Sequence, residues 1–117
     1  MENVHDWLVQ LKNFWEARQV SNILELFTEE VIYYESPSEK LGSKNEIMQV
    51  WAEIEQQKDI EVVFEHFSTE ENKHAIKLSL RHKDQDNKLF RFSGVLLLIL
   101  NEENKCEYFY KTVQEQR

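Results

Sequence analysis

His74-Ala75-Ile76-Lys77-Leu78-Ser79-Leu80-Arg81-His82 is the stretch that decides the fold class. Ile76, Leu78 and Leu80 alternate with Lys77, Ser79 and Arg81, the period-two pattern of a strand with one face buried and one in water. On its N-terminal side, Ile60, Val62, Phe64 and His66 share one face and Glu61, Val63, Glu65 and Phe67 the other. Thr69-Glu70-Glu71-Asn72 reads as the turn between these two strands, and Asp84-Gln85-Asp86-Asn87 as the next. The segment Leu89 to Leu100 becomes apolar on both faces at its end, which places it centrally in a sheet. Gly94 inside it predicts a bulge or bend. Asn101-Glu102-Glu103-Asn104 turns the chain into a last strand, Lys105 to Val113. A bulge in that turn would shift the register, so the inward face of the last strand is left open.

Upstream of Lys58 the period changes. Val4, Trp7, Leu8, Leu11, Phe14 and Trp15 follow the three-and-four spacing of a helix with one buried face. Ser21 is read as the cap of a short second helix carrying Ile23, Leu24 and Phe27. Val31-Ile32-Tyr33-Tyr34 is a short strand ending at Ser36-Pro37, because proline pushes its predecessor out of helical conformation. A loop follows through Gly42. Ser43-Lys44-Asn45-Glu46 fits a capping box opening a third helix with Ile47, Val50, Trp51 and Ile54. Helices in the first half and meandering strands in the second make the chain α+β, with three helices packed on a strongly curved antiparallel or mixed sheet.

The 117 residues suit a single domain spanning 1–117. Two glycines and one proline leave little material for linkers. Fourteen Lys and Arg against 22 Asp and Glu give a net charge of −8, which argues against nucleic acid and anionic membrane surfaces as partners. The longest apolar run, Val95 to Leu100, is far short of the roughly 20 residues of a membrane helix. Cys106 has no second cysteine to pair with, and Met1 to Asp6 is acidic without an apolar core. The expectation is a cytoplasmic protein.

The order of elements resembles the SnoaL-like branch of the nuclear-transport-factor-2-like (NTF2-like) superfamily. The resemblance is carried by Trp15-Glu16-Ala17, by Ile23 to Val31, by Tyr33-Tyr34-Glu35-Ser36-Pro37, by Gly42, Ile47 and Trp51, by Ser93-Gly94 and by the turn into Lys105-Cys106. It implies a cone-shaped domain with a pocket between sheet and helices, often in a homodimer. Members include ketosteroid isomerases, polyketide cyclases, dehydratases, ligand carriers and interaction modules. In isomerase-type members the general base is an aspartate directly before the proline. Here that position is Ser36, which is no base near neutral pH. The second acidic group of isomerases falls near Leu96, a side chain with no hydrogen bond to offer an oxyanion.

The pocket is therefore expected to be lined by Trp15, Tyr34, Ser36, Trp51, Phe64, Leu78, Phe92 and Leu96. Glu35 and His66 are the candidates for acid–base chemistry, against a plain reading of each as a solvated or locally bonded group. Strand pairing separates His66 from His82 and argues against joint action. The histidine spacing carries no metal signature, and no cofactor motif is present. Arg91 is a candidate for anion binding or for pairing with an acidic neighbour. Cys106, beside Lys105, lacks the activation of a reactive thiol. The leading expectation is binding of a small, largely apolar molecule. The alternatives are an isomerase, cyclase or dehydratase using acid–base chemistry, and a dimeric interaction module with a filled cone. Val63, Phe67, Val95, Leu97 and Ile99 share an exposed sheet face suited to a homodimer.

Overall fold

Apolar spacing is realised as helix wherever a cap starts it. The structure, a computed structural model, describes residues 3–116. Helix α1 (Val4–Glu16) opens at Asn3, whose side chain accepts from the Asp6 N–H at 3.1 Å. Its stripe of Trp7, Leu8, Leu11 and Trp15 is buried. Helix α2 (Val20–Leu24) follows without a side-chain cap. It starts at Val20 instead of behind Ser21, and Phe27 belongs to the next strand. Helix α3 (Lys44–Trp51) starts at Ser43, whose hydroxyl accepts from the Glu46 N–H. The Glu46 carboxylate reaches one residue further back than in a capping box and accepts from the Gly42 N–H at 2.7 Å. A 3-10 turn, Ala52–Gln56, continues α3.

The strands are β1 (Phe27–Ser36), β2 (Glu39–Leu41), β3 (Lys58–Glu70), β4 (Lys73–Lys83), β5 (Leu89–Leu100) and β6 (Cys106–Glu115). They form one mixed sheet in the order β2-β1-β6-β5-β4-β3. All neighbours are antiparallel except β1 and β6, which run parallel. β1 is longer than the sequence suggested, and β2 occupies part of the expected loop. β4 pairs in continuous register with β5, and Ile76, Leu78, Leu96 and Leu98 on their inner face are fully or nearly fully buried. The register of β6 answers the question its turn left open. Phe109, Lys111 and Val113 oppose the inner-face residues Leu98, Leu96 and Gly94, while Tyr108 and Tyr110 look outward. Helix α1 lies across the inner face and the 3-10 turn flanks it, giving an α+β cone.

The core beneath α1 is aromatic. The Tyr33 and Phe109 rings stack with centroids 4.7 Å apart, and Phe27 meets both edge-on. Trp7 packs edge-on against Phe27, and its indole N–H donates to the Leu26 carbonyl at 3.1 Å. Burying each such ring contributes about 1.5–3 kcal/mol. A surface ion pair such as Arg81–Glu61, about half exposed, contributes about 0–1 kcal/mol. Apolar burial therefore decides the fold. Among the described residues, no helix is long and apolar enough to cross a membrane.

Gly94 stands in unbroken register with Leu78 and Val113, so the expected bulge is absent there. Its role is closeness: a Cβ at this position would lie 1.9 Å from the Thr112 carbonyl oxygen. Gly94→Ala must push β6 away from β5. The expected loss is about 1–3 kcal/mol, read as a Tm lowered by roughly 5–15 °C. An unchanged melting curve would show that β6 yields at no cost.

Candidate functional site

At the C-terminal end of α1, the helices stand away from the sheet and leave a cavity of about 230 Å³. Trp15, Trp51 and Ile54 form the helical wall, and Leu80, His82, Phe92, Lys111 and Val113 form the sheet wall. Glu35, Glu53 and Gln57 supply further polar groups. Trp15 and Trp51 meet edge-to-face at 4.7 Å, so each holds the other's ring in place. Spacing put them on their helices, and burial turned both toward the sheet.

Among the described residues, four buried side-chain polar atoms lack a hydrogen-bond partner: Trp15 Nε1, Trp51 Nε1, Gln57 Oε1 and His82 Nδ1. All four residues line this one cavity. Buried polar groups elsewhere in proteins are nearly always bonded, and leaving one bare costs about 1–3 kcal/mol. The four atoms themselves are closed off behind the cavity wall, so the surface open to the cavity is made mainly by the rings and aliphatic side chains.

The charged groups of the wall are satisfied internally. Glu35 accepts from Lys111 Nζ at 2.9 Å and from the Tyr33 hydroxyl at 3.3 Å. Both charged side chains are largely shielded from water. Burial, and then the Glu35 charge, raise the Tyr33 phenol well above its ordinary pKa; the Trp51 indole N–H, directed at the same hydroxyl, acts the other way. Tyr33 is thus a permanent donor to Glu35. Burial also lowers the His82 pKa, against the smaller opposing effects of the Lys83 backbone and Asp84. Its ring lies nearly parallel to those of Phe90 and Phe92, at 5.5 and 5.8 Å.

The residues expected to line the pocket divide. Trp15, Trp51 and Phe92 lie on the cavity wall, as does Glu35. Leu78 and Leu96 lie deeper, sealed into the core. Phe64 lines a different recess, of about 300 Å³, between α1 and the edge strand β3, where Leu8 and Val62 also pack. Tyr34 is corrected to the outer face, where its ring meets Tyr108 and Tyr110. The cause is Tyr33, whose stacking on Phe109 takes the inward position and turns its neighbour out. Ser36 lies past an irregularity in the β1–β2 register and lines no part of the cavity. His66 sits at the far end of β3, exposed, with its Nε2 bonded to Thr69 Oγ1. The same hydroxyl bonds His74 Nδ1 at 2.8 Å, a cluster that an irregularity between His66 and Ser68 creates. Arg91 is exposed, and burial drives the Cys106 thiol pKa far up.

Sequence reasoning missed His82, Gln57, Lys111 and Val113 as cavity residues. His82 was signalled by continuing the apolar face of Leu78 and Leu80. Lys111 and Val113 needed the register of β6, and Gln57 had no signal. Among the described residues, no group of three or more His, Cys, Asp or Glu is placed to hold a metal ion.

His74 and His82 both have lowered pKa values in the fold. Burial is the main cause for each, with His66 adding to it for His74. Near the ordinary pKa of about 6.5 the unfolded chain therefore binds more protons than the folded one. Stability is expected to decline as pH falls through about 6.5, and to go on declining until the folded-state pKa values are passed. Thermal melts from about pH 7.5 to about pH 5 should show this decline. The double variant His74→Asn, His82→Asn should flatten it, and an equally steep decline in the variant would assign it to other groups.

No family model and no curated protein matches the chain. Solved structures do. An NTF2-like protein of unknown function from Exiguobacterium sp. 255-15 superposes with a TM-score of 0.77 at 16% identity, over 92% of this chain and 98% of that one. RV0760c from Mycobacterium tuberculosis, in complex with estradiol-17beta-hemisuccinate, gives 0.77 at 14% identity, over 92% and 90%. The Delta 5-3-ketosteroid isomerase from Mycobacterium sp. gives 0.77 at 12% identity, over 97% and 98%. What these superpositions establish is the architecture: the chain has the α+β cone fold of NTF2-like proteins.

Proposed function

We propose that this protein binds a small, largely apolar molecule in the cone cavity between Trp15, Trp51 and the inner sheet face. The observation that carries the reading is the cavity itself, walled by Trp15, Trp51, Leu80, Phe92 and Val113 with a few polar side chains among them. Apolar walls with a few fixed polar groups are the usual composition of a ligand site. The steroid-derived ligand of RV0760c, a protein of the same fold, supports it. Binding is favoured over isomerase, cyclase or dehydratase chemistry by the state of Glu35. A carboxylate already held by Lys111 and Tyr33 is a poor general base, because taking a proton means giving up both partners.

The outer sheet face supports a second copy as partner. Val63, Phe67, Val95 and Leu97 are exposed there, Phe67 at 70% of its surface, beside Tyr34, Tyr108 and Tyr110. Apolar patches of this kind commonly mark an interface.

Native mass spectrometry of gently purified protein tests the ligand. The wild type should carry one small molecule per chain, and Val113→Phe, which fills the cavity from β6, should weaken uptake by at least about tenfold. Retention by the variant would place the ligand elsewhere. Light scattering on Leu97→Glu tests the second copy. The wild type should run as a dimer and the variant as a monomer, and a dimer in both would remove the outer face as the interface.

A further inference from the structure

We infer that the tip of the β3–β4 hairpin binds a divalent ion of the zinc, nickel and copper class between His66 and His74. The site lies at the opposite end of β4 from His82 and the cone cavity, and it stands independently of the ligand reading above.

Convergence is the first argument. His66 Nε2 bonds Thr69 Oγ1, and His74 Nδ1 bonds the same oxygen at 2.8 Å. One hydroxyl shared by two ring nitrogens marks a point that both nitrogens reach. Sequence spacing gives no sign of it. His66 stands opposite Ile76 and Thr69 opposite His74, so strict alternation would put His66 and Thr69 on different faces. The irregularity between His66 and Ser68 sets Thr69 on the face that the two histidines share.

Donor chemistry is the second argument. Neutral imidazole nitrogen suits zinc, nickel and copper, whereas magnesium and calcium take oxygen. The ring centroids are 6.3 Å apart. A tetrahedral ion with Zn–N bonds of about 2.0–2.1 Å would hold them about 1 Å closer. Side-chain rotation supplies that approach once Thr69 turns its hydroxyl aside. His66 and Thr69 are exposed and His74 is half-buried, so the ion enters from water. Two histidines are a smaller set than the groups of three or more absent among the described residues, and they leave the other positions to water.

Support and charge are the third argument. The Asn72 side chain at the hairpin turn donates to the Leu100 carbonyl at 3.2 Å, and its own carbonyl accepts from the Leu100 N–H at 3.1 Å. These bonds tie the hairpin end to β5, so the backbone carrying both rings is held before an ion arrives. Glu70 and Glu71 stand at the turn against Lys73, and the chain carries a net charge of −8. Such a field raises the local concentration of cations.

Titration of isotope-labelled full chain with zinc chloride, followed by NMR of the imidazole rings, tests the inference, with magnesium chloride as the oxygen-seeking control. Zinc should shift the rings of His66 and His74 together and saturate at one ion per chain, and magnesium should shift neither. His66→Gln and His74→Gln should each weaken zinc binding by at least about tenfold. His5→Gln and His82→Gln should leave it unchanged. Thr69→Val, which removes the competing hydroxyl, should bind zinc at least as tightly as the wild type. Zinc that moves only one of the two rings, binding that survives both single variants, equal shifts from magnesium, or no shift in excess zinc would each overturn the inference.

Discussion

Parallel pairing of β1 with β6 joins the first strand to the last, and the cone depends on that join. Closing so long a loop carries an entropic cost that grows slowly with length but must be met by contacts made late. The stack of Tyr33 on Phe109, with Phe27 and Trp7 above it, supplies them. The same stack fixes parity in both strands. With Tyr33 and Phe109 inward, Glu35 and Lys111 follow two residues later on the same face. Their ion pair thus lies at the cavity because the aromatic core lies beneath it. The site and the core are consecutive steps along two paired strands.

The opposite edge of the sheet is handled differently. An exposed edge strand invites unwanted pairing with other chains. On β3, the Val62 N–H donates to Glu16 Oε2 at 2.8 Å, and the Val62 carbonyl accepts from Lys12 Nζ. Lys12 and Glu16, four residues apart on α1, also bond each other. One helical turn therefore plays the part of a missing neighbouring strand at Val62. This anchors α1 across the sheet and sets how far its last turn, with Trp15, stands from β4 and β5.

Much of this was legible in the sequence, and the failures have specific causes. β4 was readable because one face is buried and the other wet, so polarity tracks geometry residue by residue. The three helices were readable from spacing and, for α3, from its cap. β2 was not, because three residues pairing on an edge leave no period to detect. Tyr33 and Tyr34 are identical in chemistry, so alternation alone has no means to choose which turns inward. The choice is made by Phe109, some seventy-five residues away in sequence, through the β1–β6 register. That one long-range contact separates the expected lining of Tyr34 and Ser36 from the observed Glu35. Trp15, Trp51 and Phe92 were readable as inward residues, since large apolar side chains on a periodic face have one place to go. Gln57 lies beyond the helical period and before the strand period, where polarity predicts surface.

The charged groups of the cavity matter to the functional argument because they are already matched. Glu35 is held by Lys111 at 2.9 Å and by the Tyr33 hydroxyl at 3.3 Å. A carboxylate in that state has two partners to lose before it can take a proton from anything else. Partnered by each other and by Tyr33, these charges contribute shape and a net field to the wall. They leave the rings of Trp15, Trp51 and Phe92 as the broad apolar surface that a ligand would meet, and apolar contact is the interaction such a surface supports best.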